Sequence, residues 1–258
     1  MHTVQLFFRA RNARNHEEVL DKVWSYLAAL LHNGQIVGDH IPIAKVRAGY
    51  LVTASLPEPA ALADRFANAW VRKRLRDLKS VGVARPKVTR LGTDPDGASP
   101  CTCTRRPFLL LFTTFMTVSS PVRCGRCFRP IALYRMPVTY EEGKNHQDML
   151  QWQDTYKAID WLFIGSGAGE KWAHDQLSRV DSALSVDGRE LARELEKKAR
   201  VPVYYYLNKY FGRSDRAERK RKCPSCGRAW LREEPLHLIF DFQCRRCRLL
   251  SNVAFDVR

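Results

Sequence analysis

The 258 residues predict an α+β fold, and three observations carry that expectation. Over residues 1–92, runs that alternate apolar with polar side chains take turns with runs whose apolar residues recur every three or four positions, the marks of strand and helix. Eight cysteines fall into four close pairs: Cys101/Cys103, Cys124/Cys127, Cys223/Cys226 and Cys244/Cys247. Twelve Phe, nine Tyr and six Trp, in a chain that is 45% apolar, supply enough buried surface for a folded core.

Residues 2–8 alternate as a first strand, and Asn15 followed by Glu17 and Glu18 starts a helix with an acidic first turn. Val19, Val23, Leu27, Leu30 and Leu31 form its inner stripe, Leu20 and Trp24 widen it, and Asn33-Gly34 ends it. Residues 50–56 read as a strand, residues 57–79 as a second helix with Leu62, Phe66, Trp70, Leu75 and Leu78 inward, and residues 88–91 as a third strand. Arg65, Arg72, Lys73, Arg74, Arg76 and Lys79 on the second helix read as a solvated face. The result is a β-α-β-α-β layer, followed by a turn-rich linker at residues 93–100.

In the central part, residues 108–115 read as a buried strand between two cysteine pairs, and residues 128–136 as another strand. Met149, Trp152, Tyr156, Ile159 and Phe163 then mark one face of a helix, read as core packing and not as a platform for stacked bases. Gly165-Ser-Gly167-Ala-Gly169 ends that helix; it follows a helix and lacks the Lys-Ser/Thr of a phosphate loop. A short helix is expected over residues 170–179. Asp187 and Glu190 have the form of a capping box for the next helix, which buries Leu191 and Leu195, stops at Pro202 and gives way to an aromatic strand at 203–207. Residues 209–222 hold seven basic side chains against Asp215 and Glu218, and read as a linker or as an arm that contacts phosphates.

The last part carries the sharpest signal. Cys223-Pro-Ser-Cys226 and Cys244-Arg-Arg-Cys247 stand 17 residues apart, so a single hairpin between them brings four sulfurs to one point. Four thiolates in a tetrahedron, each about 2.3 Å from the metal, form a structural zinc site. Gly227 stands where such a knuckle takes positive φ. Cys101, Cys103, Cys124 and Cys127 form a second candidate, with 20 residues between the pairs. A CxC pair grips one ion less comfortably than CxxC, and reduced core thiols or a redox-sensitive pair are the alternative there. Sharing of one ion between central and C-terminal pairs is a further possibility at this level. The expected cofactor is therefore Zn2+, one in the ribbon and a second in the central cluster. The expected parts are 1–92, 101–208, the basic linker 209–222 and the zinc ribbon 223–258.

Close pairs of cysteines point to a reducing compartment, and neither a targeting segment nor an apolar run long enough to span a bilayer is evident, so a cytoplasmic protein without membrane contact is expected. The formal charge is +16, and residues 209–258 alone hold 13 Lys and Arg against 6 Asp and Glu. That balance steers phosphates or an acidic protein surface toward the chain's end.

Pro121-Val-Arg-Cys124-Gly-Arg-Cys127-Phe128, Pro130-Ile-Ala-Leu-Tyr-Arg-Met-Pro137, Gly188-Arg189 leading to Pro202-Val-Tyr-Tyr-Tyr-Leu207, and Cys223-Pro-Ser-Cys226-Gly227 with Trp230 together resemble the bacterial DUF2310 family. The resemblance is best over residues 101 to about 250. It implies metal binding by Cys223, Cys226, Cys244 and Cys247, less strongly by the central four, and nucleic-acid binding. One departure is Arg228, where a second glycine would be expected after Gly227. A looser resemblance links paired CxxCG motifs to antidotes of bacterial toxins.

The first functional expectation is a non-catalytic zinc-ribbon protein that binds nucleic acid through Lys220, Arg221, Lys222, Arg228, Arg232, Arg245, Arg246 and Arg248, with DNA and RNA not distinguished. Trp230, Phe240 and Phe242 stack on bases or, as the favoured reading, fill the ribbon's core. The alternative is a protein-interaction module, an immunity protein or adaptor that docks an acidic partner. Catalysis is the weakest expectation, because four thiolates fill the zinc shell, His237 stands alone and His174-Asp175 are chain neighbours on different helix faces. No small-molecule substrate is evident.

Overall fold

A computed structural model describes residues 1–10 and 15–257. The ends of two expectations, residues 11–14 within the N-terminal part and residue 258 of the ribbon, lie outside them. The chain forms two compact units, one of residues 1–100, 118–120 and 129–147, the other of residues 101–117, 121–128 and 148–258.

The first unit runs β1 (His2–Arg9), α1 (His16–His32), β2 (Ile43–Val46), β3 (Gly49–Leu56), α2 (Ala69–Ser80) and β4 (Lys87–Thr93). Its sheet has the order β2-β3-β1-β4 with every neighbour antiparallel. This is a β-α-β-β-α-β, ferredoxin-like topology. The sequence pattern missed β2 because three of its four residues are exposed at a sheet edge, where alternation carries no burial signal. Val4, Leu6 and Phe8 of β1 and Tyr50, Val52, Ala54 and Leu56 of β3 point to a core that α1 covers with Val19, Val23, Tyr26, Leu27 and Leu30. Asn15 caps α1 as expected, accepting from the Glu17 and Glu18 amides at 3.0 and 3.2 Å. Trp24 does not widen the stripe; it is 46% exposed.

The helix expected over residues 57–79 is shorter. Residues 64–66 make one 3-10 turn, Ala67 is extended, and α2 begins only after Asn68, whose side chain accepts from the Val71 amide at 2.9 Å. A good cap residue inside an apolar pattern has stopped the helix from running through it. Val71 and Leu78 are its buried residues, whereas Trp70 lies outward beneath the Arg74 guanidinium, 4.5 Å from its ring centre. The strand expected at 128–136 is instead irregular, with a 3-10 turn at Leu133–Arg135. That segment is pinned by Tyr134 and Arg135, which both donate to the Glu58 carboxylate.

The second unit contains β5 (Leu109–Leu111), β6 (Val122–Cys124), α3 (Gln147–Gly165), α4 (Glu170–Ser178), α5 (Ala183–Ala199), β7 (Val203–Leu207), β8 (Phe211–Gly212), α6 (Asp215–Arg219), β9 (Leu231–Leu236), β10 (Phe240–Cys244), β11 (Leu249–Ser251) and β12 (Asp256–Val257). Six strands form one sheet in the order β6-β5-β7-β11-β10-β9. β7 lies parallel to both neighbours, and all five of its residues are buried, as a strand covered on both faces requires. On one face Tyr204 and Tyr206 join Leu110, Phe240 and Leu250. On the other, Tyr205 meets Trp152 of α3 edge-on, and both rings donate to the Leu184 carbonyl of α5.

The ribbon hairpin is thus continuous with the central part, since β11 pairs with β7, and the two expected parts share one sheet. Residues 209–222 do not form a linker either. β8 pairs with β12, α6 follows, and Glu218 is buried. The expected capping box at Asp187 also gives way, because α5 starts earlier, where Ser182 accepts from the Ser185 amide at 3.2 Å.

Gly188 in α5 faces the two rings directly. A Cβ there would lie 2.2 Å from Tyr205 Cε2 and 2.5 Å from Trp152 Nε1. Alanine favours a helix over glycine by about 1 kcal/mol, but overpacking against buried rings costs about 1–3 kcal/mol. Gly188→Ala is therefore expected to destabilise the fold by a net of up to about 2 kcal/mol, read as a lower urea midpoint with the m-value unchanged.

Candidate metal centres

Two groups of four cysteines converge, Cys101/Cys103/Cys124/Cys127 and Cys223/Cys226/Cys244/Cys247, and within each group all sulfurs lie within 4.8 Å of one another. Each group is composed of the two pairs nearest in sequence, so the pairs are not exchanged between groups.

Three of the four pairs are CxxC turns, and all three close in the same way. The residue after the second cysteine takes positive φ: Phe128 at 59°, Gly227 at 68° and Arg248 at 55°. The Phe128 amide donates to the Cys124 carbonyl at 2.8 Å, and the Gly227 amide to the Cys223 carbonyl at 2.9 Å. Only Gly227 announced this conformation in the sequence. Phe128 and Arg248 hold it at a steric cost that packing offsets: Phe128 stacks on His237 and meets Phe112 and Phe240, while Arg248 pairs with Glu196 at 2.9 Å.

The central group is assembled by the β5–β6 hairpin. Cys124 ends β6 opposite Leu109, and the Gly125 amide donates to the Phe108 carbonyl at 2.9 Å. Gly125 is required there, since a Cβ would sit 2.3 Å from the Phe108 ring. The CxC pair is accommodated by loop geometry, with the Cys103 amide 3.4 Å from the Cys101 sulfur. In the C-terminal group, Cys244 ends β10, and the Cys247 amide lies 3.4 Å from its sulfur. The Cys223 amide donates to the Arg228 carbonyl at 2.9 Å.

The donor sets fit a tetrahedral metal ion. A tetrahedron with metal–sulfur bonds of about 2.3 Å has sulfur–sulfur edges of about 3.8 Å; Cys226 and Cys244 stand 3.7 Å apart. A disulfide needs about 2.05 Å, and all eight cysteines are free. Each group also contains a thiol prepared for deprotonation. Burial pushes Cys101 up, but the Cys103 amide and hydrogen bonds from Cys124, Arg106 and Cys127 bring it down to about 7. The Arg228 amide does the same for Cys226, holding it at about 7, whereas burial pushes Cys223 up to about 12. Binding of a metal cation would displace the proton of such a thiol to solvent.

The expected nucleic-acid residues divide by exposure. Lys220, Lys222, Arg228, Arg245 and Arg246 are exposed. Arg221 is instead a wedge of the core: its guanidinium lies 4.4 Å from the Phe242 ring centre and 5.3 Å from that of Trp230, and donates to Glu218, Ser251 and the Asn252 carbonyl. Arg232 is held by Gln243 and the Glu234 carbonyl, and Arg248 by Glu196. Trp230, Phe240 and Phe242 are buried and fill the ribbon's core, so none offers a face for a base. His237 lies 3.0 Å from the Gly125 carbonyl, and His174 accepts the Tyr210 amide among packed rings; neither joins a cysteine group.

Two further cations were not marked by the sequence. Arg189 and Arg193 of α5, with Arg246 and Arg248, line a cleft of about 580 Å³ whose wall includes Cys226 and Cys247. Nothing in a helical sequence shows which of its arginines face a neighbouring knuckle.

Removal of a half-buried, hydrogen-bonded guanidinium costs stability, whereas an exposed lysine contributes little. Arg221→Ala is expected to lower unfolding free energy by about 2–3 kcal/mol, and Lys220→Ala to stay within about 0.5 kcal/mol of the parent, both read from urea unfolding.

The sequence profile of the domain of unknown function DUF2310 matches residues 103–208. Two others, also domains of unknown function, match residues 212–257 (DUF8594) and 1–92 (DUF8589). An uncharacterized protein of Haemophilus influenzae is 30% identical over 268 residues, covering 99% of each chain. A second uncharacterized protein of that organism is 36% identical over 147 residues, 57% of this chain and 71% of its own. No solved structure matches significantly. With a relative aligned along nearly its whole length and the central profile covering Cys103, Cys124 and Cys127 of the first cysteine group, the chain belongs to the DUF2310 family of bacterial proteins.

Proposed function

We propose that this protein is a non-catalytic, cytoplasmic zinc-ribbon protein that holds two Zn2+ ions and binds nucleic acid through the basic surface of its second unit. The observation that carries the reading is the convergence of four sulfurs within 4.8 Å in each of two groups, with Cys226 and Cys244 3.7 Å apart. Four thiolates close the coordination shell and leave no position for a substrate or an activated water, so each site is structural. Zinc also contributes to folding here, on the order of 10 kcal/mol for such sites at neutral pH, by locking turns whose local conformation is unfavourable.

A divalent ion with four thiolates keeps two net negative charges, which Arg246 and the exposed knuckle amides partly offset. Glu196 occupies Arg248. Arg189 and Arg193, which donate to the Val180 and Arg189 carbonyls, have no ion pair among the described residues and line the cleft beside the exposed Lys220, Lys222, Arg228 and Arg245. Their setting suits the backbone phosphates of a nucleic acid better than base edges, because the nearby aromatics are buried.

Metal analysis by mass is expected to find two zinc ions per chain, with Cys103→Ser and Cys226→Ser each losing one and leaving the other. Thiolate ligation releases protons, so zinc retention must fall as pH falls, and a dye-based titration is expected to show release on acidification. A folded chain without bound metal contradicts the reading.

Nucleic-acid affinity is expected to fall with salt at a log–log slope near −5 if about six phosphates are engaged. Arg193→Ala with Arg246→Ala is expected to reduce that slope by about 2. An absence of binding to single or double strands at low salt contradicts this half of the proposal and favours the acidic protein partner.

A further inference from the structure

The first unit contains a cavity of about 230 Å³ that the metal and nucleic-acid readings do not use. Its walls are apolar: Leu6 of β1, Leu30 of α1, Val71 and Leu75 of α2, with Leu62 and Val88. Three charged residues line it, Asp64, Arg72 and Arg85. Arg85 pairs with Asp64, and both are exposed. Arg72 has no ion pair among the described residues, and its field reaches the Asp64 carboxylate.

Two buried polar side chains line the cavity. Gln35 is fully satisfied, with its Nε2 donating to the Ala61 carbonyl and its Oε1 accepting from Asn33. Tyr26 is not. Its side chain is 7% exposed, its ring packs edge-on against Phe8, and its hydroxyl has no hydrogen-bond partner among the described residues. The Arg85–Asp64 pair lies near enough to act electrostatically on that hydroxyl. A hydroxyl that makes no bond within the described residues and is not sealed from solvent is free to donate to a ligand oxygen in the cavity.

We propose that this cavity binds a small apolar carboxylic acid, whose hydrocarbon part fills the space among Leu6, Leu30, Val71 and Leu75 while its carboxylate accepts from Tyr26 and replaces Asp64 at Arg85 and Arg72. The exchange of carboxylates is accessible because the resident pair is exposed and therefore weakly held. The volume suits a molecule smaller than a nucleotide, and two guanidinium groups against one carboxylate at the cavity favour an anionic head group over an ammonium.

The test is calorimetric titration of the full chain with hexanoate, phenylacetate, 1-hexanol and hexylamine, with methyl NMR of Leu30, Val71 and Val88 to locate the binding. Hexanoate or phenylacetate is expected to bind and shift these methyls, with 1-hexanol at least about tenfold weaker and hexylamine without effect. Tyr26→Phe, a small change that keeps the ring packing, is expected to weaken the acid about tenfold and leave 1-hexanol unchanged. Arg72→Ala with Arg85→Ala is expected to abolish the preference for the acid. Unshifted methyls with both acids, equal binding of acid and alcohol, or a Tyr26→Phe protein with undiminished acid affinity each overturn the proposal.

Discussion

The second unit depends on β7 being paired in parallel on both sides. Val203–Leu207 can be buried completely only if every amide and carbonyl of the strand finds a partner and both of its faces are covered. β5 and β11 satisfy the edges, α3 and α5 cover Tyr205, and the aromatic cluster covers Tyr204 and Tyr206. The two cysteine groups follow from this arrangement. One is carried by the hairpin that includes β5, the other by the hairpin that includes β11, so a single central strand sets both in one sheet.

Each group is locally strained and globally supported. Phe128 and Arg248 sit in the left-handed region, where a side chain is disfavoured, and the compensation comes from distant residues: His237 and Phe240 for the former, Glu196 for the latter. The aromatic contacts on Phe128 tie the tip of the ribbon hairpin to the central cysteine turn, where His237 also reaches the Gly125 carbonyl. The two thiol groups therefore share one hydrophobic cluster, although their sulfurs are separate.

Charge is divided between structure and surface. Arg221 carries a guanidinium into the ribbon's core because its planar face covers Phe242 and Trp230 while its edges find Glu218, Ser251 and a carbonyl. The basic side chains that remain in solvent lie in the same stretch of chain, and only their environments separate the two roles. In the first unit the same logic appears at Arg135 and Glu58, which fix the irregular segment that the pattern of residues 128–136 misrepresents as a strand.

Much was legible in the residue order. Asn15 marked a helix start, the stripe from Met149 to Phe163 marked a buried face, and the spacing of eight cysteines marked both groups, because each of these signals arises within a few residues of chain or from the short reach of one hairpin. Edge strand β2, the shortened α2, the burial of Arg221 and the cleft beside Cys226 were not legible. They depend on which surfaces meet after the chain has folded back on itself, and polar edges, cap competition and amphipathic arginines look alike in sequence whether they end in solvent or in a core. The sequence by itself determined the α+β class and the four-thiol chemistry, through local periodicity and ligand spacing. Tertiary structure alone decided that both thiol groups share one sheet and which cations stay free, because parallel pairing and burial are properties of residues far apart in the chain.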